Sequence, residues 1–199
     1  MHALRHLIDR HDIFAQIHAQ YGMPYIPVRP EGFETLCKII LEQQVSLESA
    51  RACYEKLLVQ SGAFTPENIL ELDAQQMRDC GLSRQKSTYV RALAEAIVSG
   101  SLQLETLSQK TPEAVRDELI QIKGIGHWTI DVYLMFSLQS PDIIPLGDIG
   151  ILITIGELTG IRDKSAVAEI TQNWAPYRSY AAFFLWHYYL KKRGRQIIL

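Results

Sequence analysis

Two glycines one residue apart could form an anion-binding turn between two helices. The segment reads Lys123-Gly124-Ile125-Gly126, and helical patterns precede and follow it. Glycine adopts the backbone angles of a tight turn and, without a Cβ, lets another backbone approach closely. The N–H groups of the turn and the N-terminus of the next helix could together bind a phosphate. The same glycines could equally serve only the geometry of a helix–helix turn, so the pair alone leaves both interpretations open.

The residues around the glycines favour the phosphate interpretation. Ile122 and Ile125 would pack the turn between its helices, Lys123 adds a positive charge, and Thr129 adds a hydroxyl donor. The chain has 20 Lys and Arg against 22 Asp and Glu, a formal net charge of −2. This balance excludes a generic polycationic coat for nucleic acid, so any DNA would have to be bound by a few placed groups.

A single carboxylate, Asp148, stands between a loop with two prolines and a predicted helix. An aspartate at this point commonly caps the helix, because it accepts N–H bonds from the first turn and faces the positive end of the helix dipole. A fixed carboxylate can also stabilise positive charge that develops on a substrate. The local pattern favours the cap, and the two roles are compatible.

Helical patterns extend along the whole chain. Apolar residues recur at helical spacing, and no Asn-Gly or Asp-Gly hairpin signal interrupts them. The sequence therefore predicts an all-α fold of about ten short helices. The predicted starts and spans are one stripe from Leu4 to near Gly22, a helix from Phe33, caps at Ser46, Thr65, Asp73, Ser83 and Thr111, starts at His127 and Asp148, and helices over about 163–173 and 177–191.

Composition narrows the class of protein. Hydrophobic residues are 47% and charged residues 21%, as in ordinary globular chains. Cys37, Cys53 and Cys80 lie far apart, without the spacing of a zinc or iron–sulfur site, which predicts free thiols in a reducing compartment. The first ten residues are too charged for a signal peptide, and no apolar run approaches the roughly 18 residues of a membrane span. These features predict a cytoplasmic protein.

Three motifs in order resemble those of one family. Residues 122–129, a proline-containing loop and Asp148 resemble the helix-hairpin-helix, loop and aspartate of the base-excision DNA glycosylase superfamily. Residues 41–46 are similar to the GQQVS or GQLVS segment of its bacterial 3-methyladenine DNA glycosylase II group, although Glu42 replaces the usual glycine. Residues 174–181 and Trp186 resemble the ending of that group. The motifs span residues 41 to 186, most of the chain.

The resemblance implies a fold of two lobes with a helix-hairpin-helix motif and a cleft between the lobes. It implies a compact form without the N-terminal β domain of larger bacterial members. We expect one glycosylase domain over 1–199, with lobe A at about 32–138, including the hairpin, and lobe B at about 1–31 plus 139–199. We expect a monomer that binds double-stranded DNA containing a damaged base, in the cytoplasm and, in a bacterium, with the nucleoid.

The resemblance also implies an activity. It is the hydrolysis of the N-glycosidic bond of alkylated purines, of the 3-methyladenine and 7-methylguanine type, after base flipping, which leaves an abasic site. Asp148 occupies the catalytic position and would stabilise the oxocarbenium-like transition state. Trp128 stands where bifunctional relatives carry a Schiff-base lysine, so no lyase activity is expected. The alternative is a non-catalytic helix-hairpin-helix module that binds damaged DNA.

By the same resemblance, several residues receive roles. Trp128 and Trp186 would line the base pocket, with core packing as the alternative for each. Val132 stands where the group often has a pocket tyrosine, and the adjacent Tyr133 could substitute for it. Gln44 matches the residue that wedges into the duplex, with a surface residue or a helix cap as its alternative. The predicted DNA-binding residues are Gln44, Ser46, Lys123, Gly124, Ile125, Gly126, His127 and Thr129.

Two further assignments stay open at this point. Gln43 and Ser46 would contact a phosphate or cap the next helix, and Arg178 would form a structural ion pair or contact DNA.

No cofactor is expected to be required. The backbone carbonyls of Ile120, Ile122 and Ile125 could hold a structural Na or K ion in the hairpin when DNA is bound, as in related hairpins.

Overall fold

The computed structural model describes residues 2–195, and every regular element within them is a helix. The predicted all-α class is confirmed. The two ends of the predicted domain, Met1 and 196–199, lie outside the described residues. The elements are α1 His2–Arg10, α2 Asp12–Tyr21, α3 Phe33–Glu42, α4 Leu47–Ser61, α5 Pro66–Glu71, α6 Ala74–Asp79, α7 Arg84–Val98, a 3₁₀ helix Leu104–Gln109, α8 Pro112–Leu119, α9 His127–Phe136, α10 Ile149–Thr159, α11 Lys164–Gln172 and α12 Arg178–Lys192.

The described residues contain thirteen helices, two more than the eleven starts and spans named above, for two local reasons. The first apolar stripe divides into α1 and α2 because His11 adopts an extended conformation (φ −138°, ψ 114°) between them. The 3₁₀ helix was not predicted, since its two buried leucines, Leu104 and Leu107, give too short a pattern. Helical periodicity alone does not detect either feature, because the break at His11 is one residue long and the 3₁₀ helix only six.

Side-chain caps begin several helices at the predicted positions. Ser46, Thr65 and Thr111 each accept a hydrogen bond from the backbone N–H three residues later. Asp73 and Gln76 form a complete capping box at α6. Because each cap satisfies an N–H group that the helix leaves without a partner, these residues fix where the helices start.

The chain forms two compact units. The central unit is Arg29–Leu138, and the terminal unit combines Met1–Val28 with Gln139–Leu199. In the central unit, α3 is the core helix: it packs against α4, α7 and α9, and its residues Leu36, Ile39 and Ile40 are fully buried. In the terminal unit, α12 packs against α2 and α10, and Phe184 stacks on Phe14 with ring centroids 5.5 Å apart.

Length and apolar character decide whether a helix can cross a membrane. Within residues 2–195, no helix combines the length and the apolar character that crossing a membrane requires.

Candidate functional site

Two hydrogen bonds within the terminal unit hold Asp148 at the start of α10. It is the N-cap of this helix, and the Ile151 N–H donates to its Oδ1 at 3.1 Å. The indole Nε1–H of Trp186 donates to the same oxygen at 3.0 Å. The side chain is only half-buried. The carboxylate is therefore both a helix cap and a fixed anionic group that solvent can reach.

Gly150 leaves room for this carboxylate. A Cβ at position 150 would lie 3.1 Å from Asp148 Oδ1 and 3.4 Å from the ring of Tyr189. The Arg193 guanidinium lies over the same Tyr189 ring, 3.9 Å from its centroid. Sequence reasoning missed the role of Gly150, although a glycine two residues after Asp148 was a visible signal.

The loop that precedes Asp148 is tied to the beginning of α12. The Arg178 side chain donates two bonds to Asp142, from Nε to Oδ1 at 2.8 Å and from Nη2 to Oδ2 at 2.9 Å, and the Arg178 backbone N–H donates a third to Oδ1 at 3.1 Å. This pairing lowers the pKa of Asp142 and raises that of Arg178. Ser179 donates to the Ser140 carbonyl at 2.6 Å and accepts from the Ile143 N–H at 2.9 Å. Of the two roles left open for Arg178, the structure shows the ion pair.

Because Arg178, Ser179 and Trp186 all lie on α12, this single helix positions both the loop before Asp148 and the indole that bonds to it. The sequence ending that resembles the glycosylase group is therefore the part of the terminal unit that supports its carboxylate.

In the central unit, the hairpin between α8 and α9 needs glycine at only one of its two positions. Gly124 has a φ of +95°, and a Cβ there would overlap the ring of Tyr89. Gly126 has an ordinary φ of −102°, and no atom lies within 4 Å of the place where its Cβ would be. Ile125 is buried between them and donates its N–H to the Ile122 carbonyl at 3.0 Å. The fold requires glycine at position 124, whereas none of the described residues requires it at position 126.

Gln43 braces the hairpin from α3. Its Nε2 donates to the Gly124 carbonyl at 3.0 Å and to Thr129 Oγ1 at 2.9 Å. Gln43 therefore braces the hairpin and does not cap α4, and its phosphate contact stays a prediction. Ser46 does cap α4, because its Oγ accepts the Ser49 N–H. Its DNA contact stays a prediction.

An ion pair also joins the two hairpin helices. Arg116 on α8 donates to Asp131 on α9 at 2.6 Å. Asp131 is almost fully buried, and this burial raises its pKa, although the pairing with Arg116 opposes the shift. The sequence assigned no role to Asp131, because its partner lies 15 residues away and on another helix.

The predicted DNA-contact residues of the central unit are not equally accessible. Gln44, Lys123 and His127 are exposed, as are Ser46 and Gly126. Thr129, in contrast, is 2% exposed and its hydroxyl accepts the bond from Gln43. The contact of Thr129 with DNA stays a prediction.

The predicted pocket residues also differ from one another. Trp128 at the start of α9 and Trp186 on α12 are half-buried. Val132 and Tyr133 lie in the core of the central unit, where the Tyr133 hydroxyl accepts the Gly32 N–H at 3.1 Å. Burial is also the main cause that raises the pKa of Tyr133. Their place in a base pocket stays a prediction.

The His, Cys, Asp and Glu side chains are the possible metal ligands. No group of three or more of them within residues 2–195 could hold a metal ion. Cys37, Cys53 and Cys80 are free thiols. In the hairpin, the Ile122 carbonyl already accepts one N–H bond. A cation at the carbonyls of Ile120, Ile122 and Ile125 stays a prediction.

Comparison with known proteins gives consistent matches. A family model described as HhH-GPD superfamily base excision DNA repair protein matches residues 37–176, which include the hairpin and Asp148. A putative DNA-3-methyladenine glycosylase of Bacillus subtilis is 32% identical over 197 residues, 92% of this chain and 68% of that protein. DNA-3-methyladenine glycosylase 1 of Schizosaccharomyces pombe is 33% identical over 165 residues, 79% of this chain and 72% of that protein.

A solved structure extends the likeness to three dimensions. The S. pombe 3-methyladenine DNA glycosylase in complex with abasic DNA aligns with a TM-score of 0.84 at 30% identity, covering 94% of this chain and 95% of that one. The aligned region thus includes nearly all of both chains.

Proposed function

Because the chain belongs to the HhH-GPD superfamily of base excision DNA repair proteins, we propose that it is a DNA glycosylase that removes alkylated purines from double-stranded DNA. Its substrates are bases of the 3-methyladenine and 7-methylguanine type, and its product is an abasic site with the strand intact. The observation that carries the proposal is the Asp148 carboxylate, fixed by the Ile151 N–H and the Trp186 indole in a half-buried position.

The proposed chemistry needs only one carboxylate. Cleavage of the N-glycosidic bond builds positive charge on the deoxyribose, and a fixed anion beside the sugar stabilises that charge. The same carboxylate can orient the water that attacks the anomeric carbon. An alkylated purine already carries positive charge, so it leaves without a strong general acid. Asp148 is therefore the catalytic residue of the proposal.

Two aromatic residues are assigned to the flipped base by the family resemblance. The flipped base is read by stacking, and electron-rich indole rings favour a cationic base over a neutral one. Trp128 and Trp186, both half-buried, are the residues assigned to this task. Trp128 also occupies the position at which bifunctional relatives would carry an amine, so the covalent route to strand cleavage has no nucleophile there. The proposal is thus a monofunctional enzyme.

The hairpin is the proposed phosphate anchor. Gly126 is exposed at the start of α9, and the open space over it lets a DNA backbone approach the N–H groups of the helix end. Lys123 adds an exposed positive charge and His127 an exposed imidazole on either side. Gln44 is the proposed wedge that fills the gap in the duplex. A monovalent cation at the hairpin carbonyls would accompany DNA binding, and the enzyme would act as a monomer without a required cofactor.

Release of free base from methylated duplex DNA tests the proposal. We expect the wild-type protein to release 3-methyladenine and 7-methylguanine and to leave strands that break only after alkali or an added lyase. Asp148→Asn keeps the helix cap and removes the charge, so we expect it to bind abasic DNA but to lose base release by a factor of about 10² or more. Undiminished release by Asp148→Asn would overturn its role. DNA binding by the wild type without release would favour the non-catalytic module instead.

A further inference from the structure

The turn after α3 contains a residue in an unusual backbone conformation. Gln44 has a φ of +57°, in the left-handed region that side chains with a Cβ seldom adopt. Its side chain is exposed, and so is that of Val45, which is 46% exposed although apolar. A strained residue persists only where its surroundings hold it, so the contacts that precede Gln44 must fix the turn.

Each of the three residues before Gln44 has a polar contact with a different part of the central unit. The Lys86 ammonium of α7 donates to the Leu41 carbonyl, at the end of α3. Arg29 donates to both carboxylate oxygens of Glu42, at 2.9 and 3.0 Å. Gln43 donates to the hairpin. The end of α3 is thus fixed on three sides.

The Arg29–Glu42 ion pair at this turn is largely buried. Only 13% of the Arg29 side chain and 16% of the Glu42 side chain are exposed. The Arg29 guanidinium also lies 5.3 Å from the centre of the Phe136 ring, and its backbone N–H donates to the Phe136 carbonyl at 2.9 Å. Since Phe136 ends α9 and the hairpin begins it, the pair links the Gln44 turn to the helix that carries the proposed phosphate anchor.

Glu42 is also the residue at which this chain departs from the family segment, where glycine is usual. A glycine here would leave the largely buried Arg29 without its counter-ion, which is costly in a low-dielectric position. The two residues therefore act as a unit.

We infer that the Arg29–Glu42 ion pair positions Gln44 for insertion into the duplex. The inference rests on the proposed function, because it assigns the pair a role in base flipping. By holding the turn in the conformation that presents Gln44 before DNA arrives, the pair removes an ordering cost from binding. Arg29 and Glu42 are positioning residues: they act through Gln44 and touch neither sugar nor base.

A double-mutant cycle tests this role. Glu42→Gln is made in the wild type and in a Gln44→Ala background, and the four proteins are compared by their affinity for a duplex that contains a tetrahydrofuran abasic-site analogue. We expect Glu42→Gln to weaken binding about five- to twentyfold when Gln44 is present, and less than about twofold when Gln44 is already alanine. Equal losses in both backgrounds would overturn the inference.

Two further proteins keep the result interpretable. Arg29→Leu combined with Glu42→Leu removes both charges without leaving one unpaired, so this double variant should fold even if Glu42→Gln melts early. Made in the wild type and in the Gln44→Ala background, the double variant should weaken binding only when Gln44 is present. Equal losses in the two backgrounds would count against the inference. Glu55→Gln breaks an exposed ion pair on α4 and should leave binding unchanged.

The two proposals fail separately. The binding cycle needs no catalysis, so normal coupling with no base release would overturn the proposed function alone. Full base release from methylated DNA, together with an uncoupled cycle, would overturn only the positioning role.

Discussion

The indole N–H of Trp186 can be removed while an aromatic ring is kept, which separates its two proposed tasks. In Trp186→Phe the ring can still stack on a base, but Asp148 Oδ1 loses the indole N–H donor. A hydrogen bond to a charged group contributes about 1.5–3 kcal/mol, so we expect kcat for base release to fall at least about tenfold with a smaller change in KM. Tyr177→Phe, which removes a polar atom elsewhere in the terminal unit, should leave kcat unchanged. A loss confined to KM would contradict the positioning role of the indole.

The two hairpin glycines should respond differently to the same substitution. Gly124→Ala places a Cβ in the Tyr89 ring at a positive φ, so we expect a loss of about 2–4 kcal/mol in the free energy of unfolding. Gly126→Ala meets no atom and should unfold at the wild-type temperature, yet it should weaken DNA binding about tenfold, because its methyl group blocks a phosphate. Thermal unfolding and duplex titration measure both effects. Wild-type affinity in folded Gly126→Ala would exclude the anchor at this position.

At the level of elements, the Asp142–Arg178 pair ties the loop before Asp148 to α12, and it should make the terminal unit sensitive to acid. The pKa of Asp142 is lowered in the folded state, so its contribution is present above the ordinary value of 3.8 and is lost as the pH falls below it. We expect Asp142→Asn to unfold more readily at neutral pH and to lose less of its remaining stability than the wild type between about pH 4 and pH 2. Thermal unfolding across this range measures it, and parallel pH profiles would contradict the assignment.

The same contacts show what the sequence could predict about the elements. The caps at Ser46, Thr65 and Thr111 were predictable because each cap and its N–H group lie three residues apart. The contacts of Gln43 with Gly124 and of Arg178 with Asp142 span 81 and 36 residues, and periodicity carries no information at such separations. The catalytic assignment of Asp148 came from the family motif, since its own position indicates a helix cap. The hydrogen bond from Trp186 to Asp148 joins residues 38 positions apart, so only the folded structure shows it.

For the whole molecule, charge predicts how DNA binding depends on salt. The formal net charge is −2, and at least eight of the 20 Lys and Arg residues are already in ion pairs. Up to twelve Lys and Arg remain outside these pairs, but the proposed anchor is confined to the hairpin, so we expect a plot of log affinity against log salt to fall with a slope of only about −2 to −4, which corresponds to about two to four phosphates. Lys123→Gln should reduce that slope by about one, whereas Lys38→Gln, on the paired face of α3, should not change it. Titrations of an abasic duplex between about 50 and 300 mM salt, a sixfold range of concentration, measure the slope. A value steeper than about −6 would mean that bulk positive charge, and not a small anchor at the hairpin, holds the DNA.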